Sequence, residues 1–214
     1  FERFYNGYID LVMSGVEEPL STHADHFEDA GAYGAAAYQK GALFLYQLEY
    51  VIGKPAFDQG LLDFFNTWKF KHPDDNDFIR VMEKSSGLEL DWYRDYMVYS
   101  LKTVDYSVDT VFAYQEQSAI ILERIRDMPM PIDVVINTKA GTQLYYTIPL
   151  DIMRGAKEER GPDDKPYELL HDWNWVNPSY LFVVPFTPDQ IQSVTIDPYM
   201  RMLDLDRENN VWAY

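Results

Sequence analysis

The sequence predicts an α+β chain, an N-terminal all-α helical unit followed by an antiparallel β-sandwich. Three observations carry that prediction. Apolar residues recur at helical spacing over residues 1 to about 100. From about residue 103 the period falls to two, as strands require. The change is sharp near Lys102, which sets the expected domains at 1–102 and 103–214.

The helices come first. FERFYNGYIDLVMSG reads as one, and a second is expected over about 36 to 53, ended by Gly53 and Pro55. After Lys40, Gln47 and Glu49 are its strongly polar residues, so a central position is expected. In FDQGLLDFFNTWKF the residues Phe57, Leu61, Phe64, Phe65 and Trp68 fall on one predicted face. PDDNDFIRVMEKSSG offers Asp74, Asp75 or Asn76 as N-cap and Gly87 as the stop. A last helix is expected over 89 to 100, LDWYRDYMVYS among it.

Strands follow in TVDYSVDTVFAY, SAIILERIR, IDVVIN, QLYYTI, YLFVVPF and IQSVTID, with a hairpin turn at Lys139–Thr142. Five to seven short strands without intervening helices predict the sandwich. Residues 154–172 read as a charged, mobile loop. In DLDRENN, Leu203 and Leu205 alternate with Asp204 and Asp206, which suggests an edge strand with its polar face outward.

Composition excludes several functions. The chain has 214 residues, 47% apolar and 16% aromatic, enough to bury a substantial core. A net charge of −17 repels phosphate backbones and anionic headgroups, so neither nucleic acid nor a membrane surface is an expected partner. The absence of cysteine excludes disulfides and thiolate chemistry. No run approaches a membrane span, because the longest apolar stretch, ALFLYQLEYVI, contains Glu49. The chain opens with Phe1 inside a helical pattern, so a piece of a longer protein is expected.

Few residues suggest chemistry. THADHFED brings His23 and His26 close to Asp25, Glu28 and Asp29, but no third ligand stands at an established spacing. The helical zinc signature His-Glu-x-x-His and the Gly-x-Ser-x-Gly elbow are both absent. WNWVNP, 173–178, could form an aromatic platform for sugar or a loop pinned onto the sheets. There remain Tyr33 and Tyr38, five apart around Gly-Ala-Ala-Ala at the start of an apolar helix.

Those tyrosines carry a resemblance. AYGAAAYQKGALFLYQLEYVIGKPAFDQGLLDFF is similar to the zinc aminopeptidases of the gluzincin type, the group of aminopeptidase N and the leukotriene-hydrolase enzymes. The matching features are Tyr38-Gln39-Lys40-Gly41 opening an apolar helix, Ile52-Gly53 closing it, and Phe57 and Phe64 in the next. The resemblance continues through NDFIRVMEKSSGLELDWYRDYM to TVDYSV, where a β-sandwich follows the catalytic domain in that family.

The resemblance implies a helical C-terminal part of a metallopeptidase catalytic domain over 1–102 and a β-sandwich over 103–214. It implies that Tyr38 donates its hydroxyl to the oxyanion of the tetrahedral intermediate and that Tyr33 lies near the substrate. It also implies zinc in the full-length parent and none bound by this fragment, whose sequence lacks the zinc motif. The implied partners are a peptide substrate and the missing N-terminal part of the catalytic domain. The expected function is thus a segment of an aminopeptidase that removes N-terminal residues from peptides, inactive alone. The alternatives are a non-catalytic scaffold of the same fold, or a carbohydrate-binding β-sandwich.

Overall fold

The computed structural model describes residues 1–158 and 166–214; the middle of the predicted charged loop, 159–165, lies outside the described residues. The chain is α+β, with helices preceding strands, and it divides into two compact units, Phe1–Lys102 and Thr103–Tyr214.

In the first unit, α1 spans Glu2–Ser14 and ends on Gly15 at φ 71°, a left-handed cap that glycine adopts at little steric cost. Tyr5, Tyr8 and Leu11 form its buried stripe. A helical backbone then runs from Ala30 to Ile52 in three parts. These are α2 (Ala30–Gly34), a π-helical segment (Ala35–Lys40) and α3 (Gly41–Ile52). The helix therefore starts six residues before the predicted 36 and carries a wide turn inside it. Asp29 caps its start, accepting the Ala32 N–H at 2.7 Å.

Leu43, Leu48 and Val51 of α3 are wholly buried, yet Leu45 and Tyr46 are exposed. The helix is central on one side only, which corrects the enclosed position expected from its composition. Gln47 is buried with them; its Nε2 lies 3.5 Å from Met97 Sδ. The nearby Tyr93 hydroxyl donates to the Phe44 carbonyl at 2.6 Å.

A single residue, Gly53 at φ 82°, separates α3 from α4 (Lys54–Trp68), so Pro55 begins a helix as well as ending one. The buried face of α4 differs from the predicted one. Phe57 and Gly60 are inside, whereas Leu61 and Phe65 face solvent. The reason is Gly60: a Cβ there would lie 2.5 Å from Met82 Sδ and 2.7 Å from Ser85 Oγ of α5 (Asp75–Ser86). Close approach of the two helices along Gly60 turns the neighbouring positions outward.

Asp74 caps α5 in a full capping box with Asp77, and Gly87 ends it at φ 72°. The last helix, α6 (Asp91–Tyr99), buries Trp92, Tyr93 and Met97.

The second unit contains two sheets. Strands β1 (Tyr106–Tyr114), β2 (Gln117–Arg124) and β6 (Ser179–Val184) form one, in the order β1-β2-β6. The other has the order β5-β4-β3-β7-β8, with β3 (Ile132–Thr138), β4 (Gln143–Ile148), β5 (Glu168–Leu169), β7 (Ile191–Ile196) and β8 (Val211–Ala213). Pairing is antiparallel except between β4 and β5, which run parallel. The two-residue β5 and three-residue β8 are too short to show an alternating pattern.

The sheets meet through Tyr146 of β4 and Phe182 of β6, whose rings stand 5.8 Å apart. The predicted turn at Lys139–Thr142 closes the β3–β4 hairpin, with Gly141 at φ 85°.

β3 is buried on both faces, although the period-two reading implied one wet face. Its Asp133 is inside, and Lys157 Nζ donates to Asp133 Oδ2 at 2.6 Å while Thr147 Oγ1 donates to Oδ1 at 2.5 Å.

The predicted edge strand at 203–206 is not formed. Asp204 is fully buried and accepts from the backbone N–H groups of Tyr106 and Asp206, both at 3.0 Å. Asn210, with its amide turned to satisfy both neighbours, donates to Asp204 Oδ2 and the Tyr106 carbonyl. Asp204 thus closes a backbone turn from within, so its face cannot point outward.

Candidate functional site

The site begins with small residues. Ala30-Gly31-Ala32 and Ala35-Ala36-Ala37 surround Tyr33 and Tyr38; Ala32 and Ala36 face inward and Gly31 and Ala37 are exposed. Gly34 faces open space, with nothing within 4 Å of where a Cβ would lie. Tyr38 lies in the π segment and is 76% exposed; Tyr33 is 41% exposed, and its ring meets the edge of Phe27 at 5.3 Å.

The segment is a π-helix because the Gly41 N–H reaches back to the Ala36 carbonyl, five residues away. On an uninterrupted α-ladder, residues five apart diverge by about 140° around the axis. A turn widened by one residue brings such positions toward one side. The wide turn was not legible from spacing alone.

Beneath the exposed tyrosine the segment is held firmly. Lys40 is 2% exposed, and its Nζ donates to Glu17 Oε1 at 2.6 Å. A buried lysine requires such a carboxylate. Which acidic residue supplies it is decided by the fold. Glu17 follows the left-handed cap at Gly15, which turns the chain back toward the π segment.

Tyr8 of α1 is in the same cluster; burial first, and the charge of Glu17 second, raises its hydroxyl well above the ordinary tyrosine range. Gln39 presses its amide against Gly7, where a Cβ would stand 2.6 Å from Gln39 Cδ. Gly7 is therefore a socket for Gln39.

The other sequence candidates disperse. His23 and His26 flank a 3-10 turn, with rings 5.4 Å apart, and the His23 Nδ1 accepts the Asp25 N–H. Among the described residues no group of three or more His, Asp or Glu side chains is placed to hold a metal ion. The zinc implied by the resemblance therefore finds no fitting ligand set here. Trp173 is 2% exposed, wedged between Tyr106 and Tyr180 at 5.4 and 5.2 Å, with its Nε1 donating to the Asn177 carbonyl. It offers no face to a sugar and pins the loop instead. No helix among the described residues is long and apolar enough to cross a membrane.

Comparison with known proteins bears on the tyrosine-bearing helix. Residues 8–97 match the peptidase family M1 domain. A segment of 47 residues, 22% of this chain, is 45% identical to a leukotriene A-4 hydrolase homolog of Botryotinia fuckeliana and covers 7% of it. A segment of the same length is 43% identical to leucine aminopeptidase 2 of Sclerotinia sclerotiorum, covering 8% of that protein. The matched segments thus span less than a tenth of either curated relative.

The fold, over 92% of this chain and 21% of the other, is like that of Legionella pneumophila aminopeptidase A in complex with aspartic acid, with a TM-score of 0.55 and 14% identity. Residues 8–97 are thus similar to the M1-type aminopeptidases, the resemblance that Tyr38-Gln39-Lys40-Gly41 carried.

Proposed function

We propose that this chain is a segment of a zinc-dependent aminopeptidase that removes N-terminal residues from peptides. Residues 1–102 are the helical C-terminal part of its catalytic domain, and 103–214 are the β-sandwich that follows. The observation that carries the reading is Tyr38, presented to solvent from a π turn inside the M1-matching helix. π turns of this kind occur frequently at functional sites.

The role of Tyr38 is to donate its hydroxyl to the oxyanion that develops on the scissile carbonyl. A phenol hydroxyl is a hydrogen-bond donor, and a donor already set on a helix needs little reorganisation. Tyr33 lines the same site, and the bare backbone at Gly34 leaves room for a peptide to pass beside it. The zinc ligands and general base belong to the part of the protein that carries His-Glu-x-x-His, a motif missing from these 214 residues. By itself the chain hydrolyses nothing.

The test uses the longer protein that contains the zinc motif. Replacing Tyr38→Phe should lower kcat for an aminoacyl-anilide by about 10²–10³ with little change in KM. A kcat within twofold of the unmodified enzyme would remove the assigned role. A parent without His-Glu-x-x-His upstream would support the non-catalytic scaffold reading instead.

A further inference from the structure

The π turn needs a cause. An α-ladder closes more compactly, and wide turns of this kind are rare. Three contacts converge on residues 36 to 40. Ala36 is buried at 1% exposure, Gln39 fills the socket at Gly7, and Lys40 is joined to Glu17. The side chains of the ion pair are 3% and 6% exposed, so solvent screens their attraction little.

Ala36 is the acceptor of the wide bond from Gly41, and Lys40 is the last residue of the π segment, so buried contacts fix the segment at both ends. Tyr38 lies midway between these two fixed points.

We propose that the Glu17–Lys40 pair is a positioning element, which holds the π turn and thereby aims the Tyr38 hydroxyl. This inference rests on the reading of Tyr38 as oxyanion donor. Glu17 and Lys40 touch no reacting atom; they act through the direction of a neighbouring side chain. The nearby Tyr8 hydroxyl stays protonated and adds no competing charge.

The experiment is a mutant cycle in the full-length enzyme with its metal. Lys40→Met should lower kcat at least tenfold while KM stays within twofold. In the Tyr38→Phe background the same substitution should change kcat by less than twofold, because the group it aims is already gone. The exchanged pair, Glu17→Lys with Lys40→Glu, should return kcat to within threefold of the unmodified enzyme.

The outcomes separate the two readings. A Tyr38→Phe enzyme within twofold of normal removes the proposed role of Tyr38, whatever Lys40 does. An impaired Tyr38→Phe enzyme with a normal Lys40→Met enzyme, or with losses that multiply, overturns the positioning role alone. Should Lys40→Met fail to fold, Glu17→Gln decides by hydrogen exchange. Amides 35–41 should exchange at least tenfold faster while amides 43–52 are unchanged; equal protection in both segments refutes the inference.

Discussion

Among the described residues, each unit buries a lysine against a carboxylate, and the two pairs differ in what surrounds them. Lys40–Glu17 and Lys157–Asp133 share an N–O distance of 2.6 Å, and no side chain of either is more than 6% exposed. The partners that Asp133 gathers around Lys157 are inside: Asp133 also accepts from the buried Thr147, and Asp197 is buried close by. Burial pushes the Asp197 carboxyl above its ordinary range, the N–H groups of Met202 and Arg201 oppose that shift, and the Asp133 charge adds to it. Beside Lys40, by contrast, Tyr38 stands in solvent. The same ion pair therefore closes a sheet in one unit and supports a projecting hydroxyl in the other. Burial tells how much a pair matters to folding, but its neighbours tell what it is for.

The largest expected effect tests the purely structural pair. Lys157→Met should destabilise the chain by about 3–5 kcal/mol, because Asp133 is left charged and buried. Denaturant titration followed by circular dichroism measures this. Replacing both partners by apolar residues of similar volume should recover most of the loss. In the full-length enzyme, Lys157→Met should leave kcat per folded molecule unchanged. An equal loss of kcat from Lys157→Met and Lys40→Met would abolish the contrast drawn above.

A smaller effect is expected at Asp204, a buried carboxylate that accepts backbone hydrogen bonds. Burial raises the Asp204 carboxyl to about 7, against the opposing N–H groups of Tyr106 and Asp206. The native state therefore keeps a proton that the unfolded chain, with its carboxyl near pKa ~3.9, has already released. The contribution of Asp204 to stability is fullest below about pH 4 and declines as pH rises toward about 7. Asp204→Asn should remove that decline, even though its amide cannot accept from every donor that Asp204 serves. Asp204→Ala should cost about 2–4 kcal/mol at low pH, since two buried N–H groups lose their acceptor. Midpoints measured from pH 4 to 7 that run parallel in Asp204→Asn and the unmodified chain would contradict this account.

The smallest expected effect is at the exposed end of the scale. Asp74→Ala removes the capping box of α5 and should cost about 1 kcal/mol, read from the same titration. A loss as large as that of Lys157→Met would mean that exposure is a poor guide to energetic weight here.

Much of this was legible in the residues. The change of period near Lys102, the caps at Asp74 and Gly87 and the hairpin at Gly141 are local signals, and each names its structure without help from distant residues. The Tyr38-Gln39-Lys40-Gly41 motif pointed to the family by resemblance, and the M1 match supports it. What was misread has a common origin. Leu61 and Phe65 sit on the apolar arc of α4, but Gly60 brings α5 so close that the buried line runs elsewhere. Leu203-Asp204-Leu205-Asp206 alternates like a strand, yet Asp204 is drawn inside by the backbone N–H of Tyr106, far away in sequence.

By itself, the sequence determined the order and type of the main elements, and chemistry alone dictates that Lys40, if buried, needs a carboxylate. Only the tertiary structure decided that the carboxylate is Glu17, that the helix widens into a π turn between Ala35 and Lys40, and that Tyr38 faces outward while Trp173 does not. The physical reason is the range of the forces involved. Propensity and capping act within a few residues of chain, whereas burial, ion pairing and the width of a helical turn depend on which distant groups come to occupy the same volume.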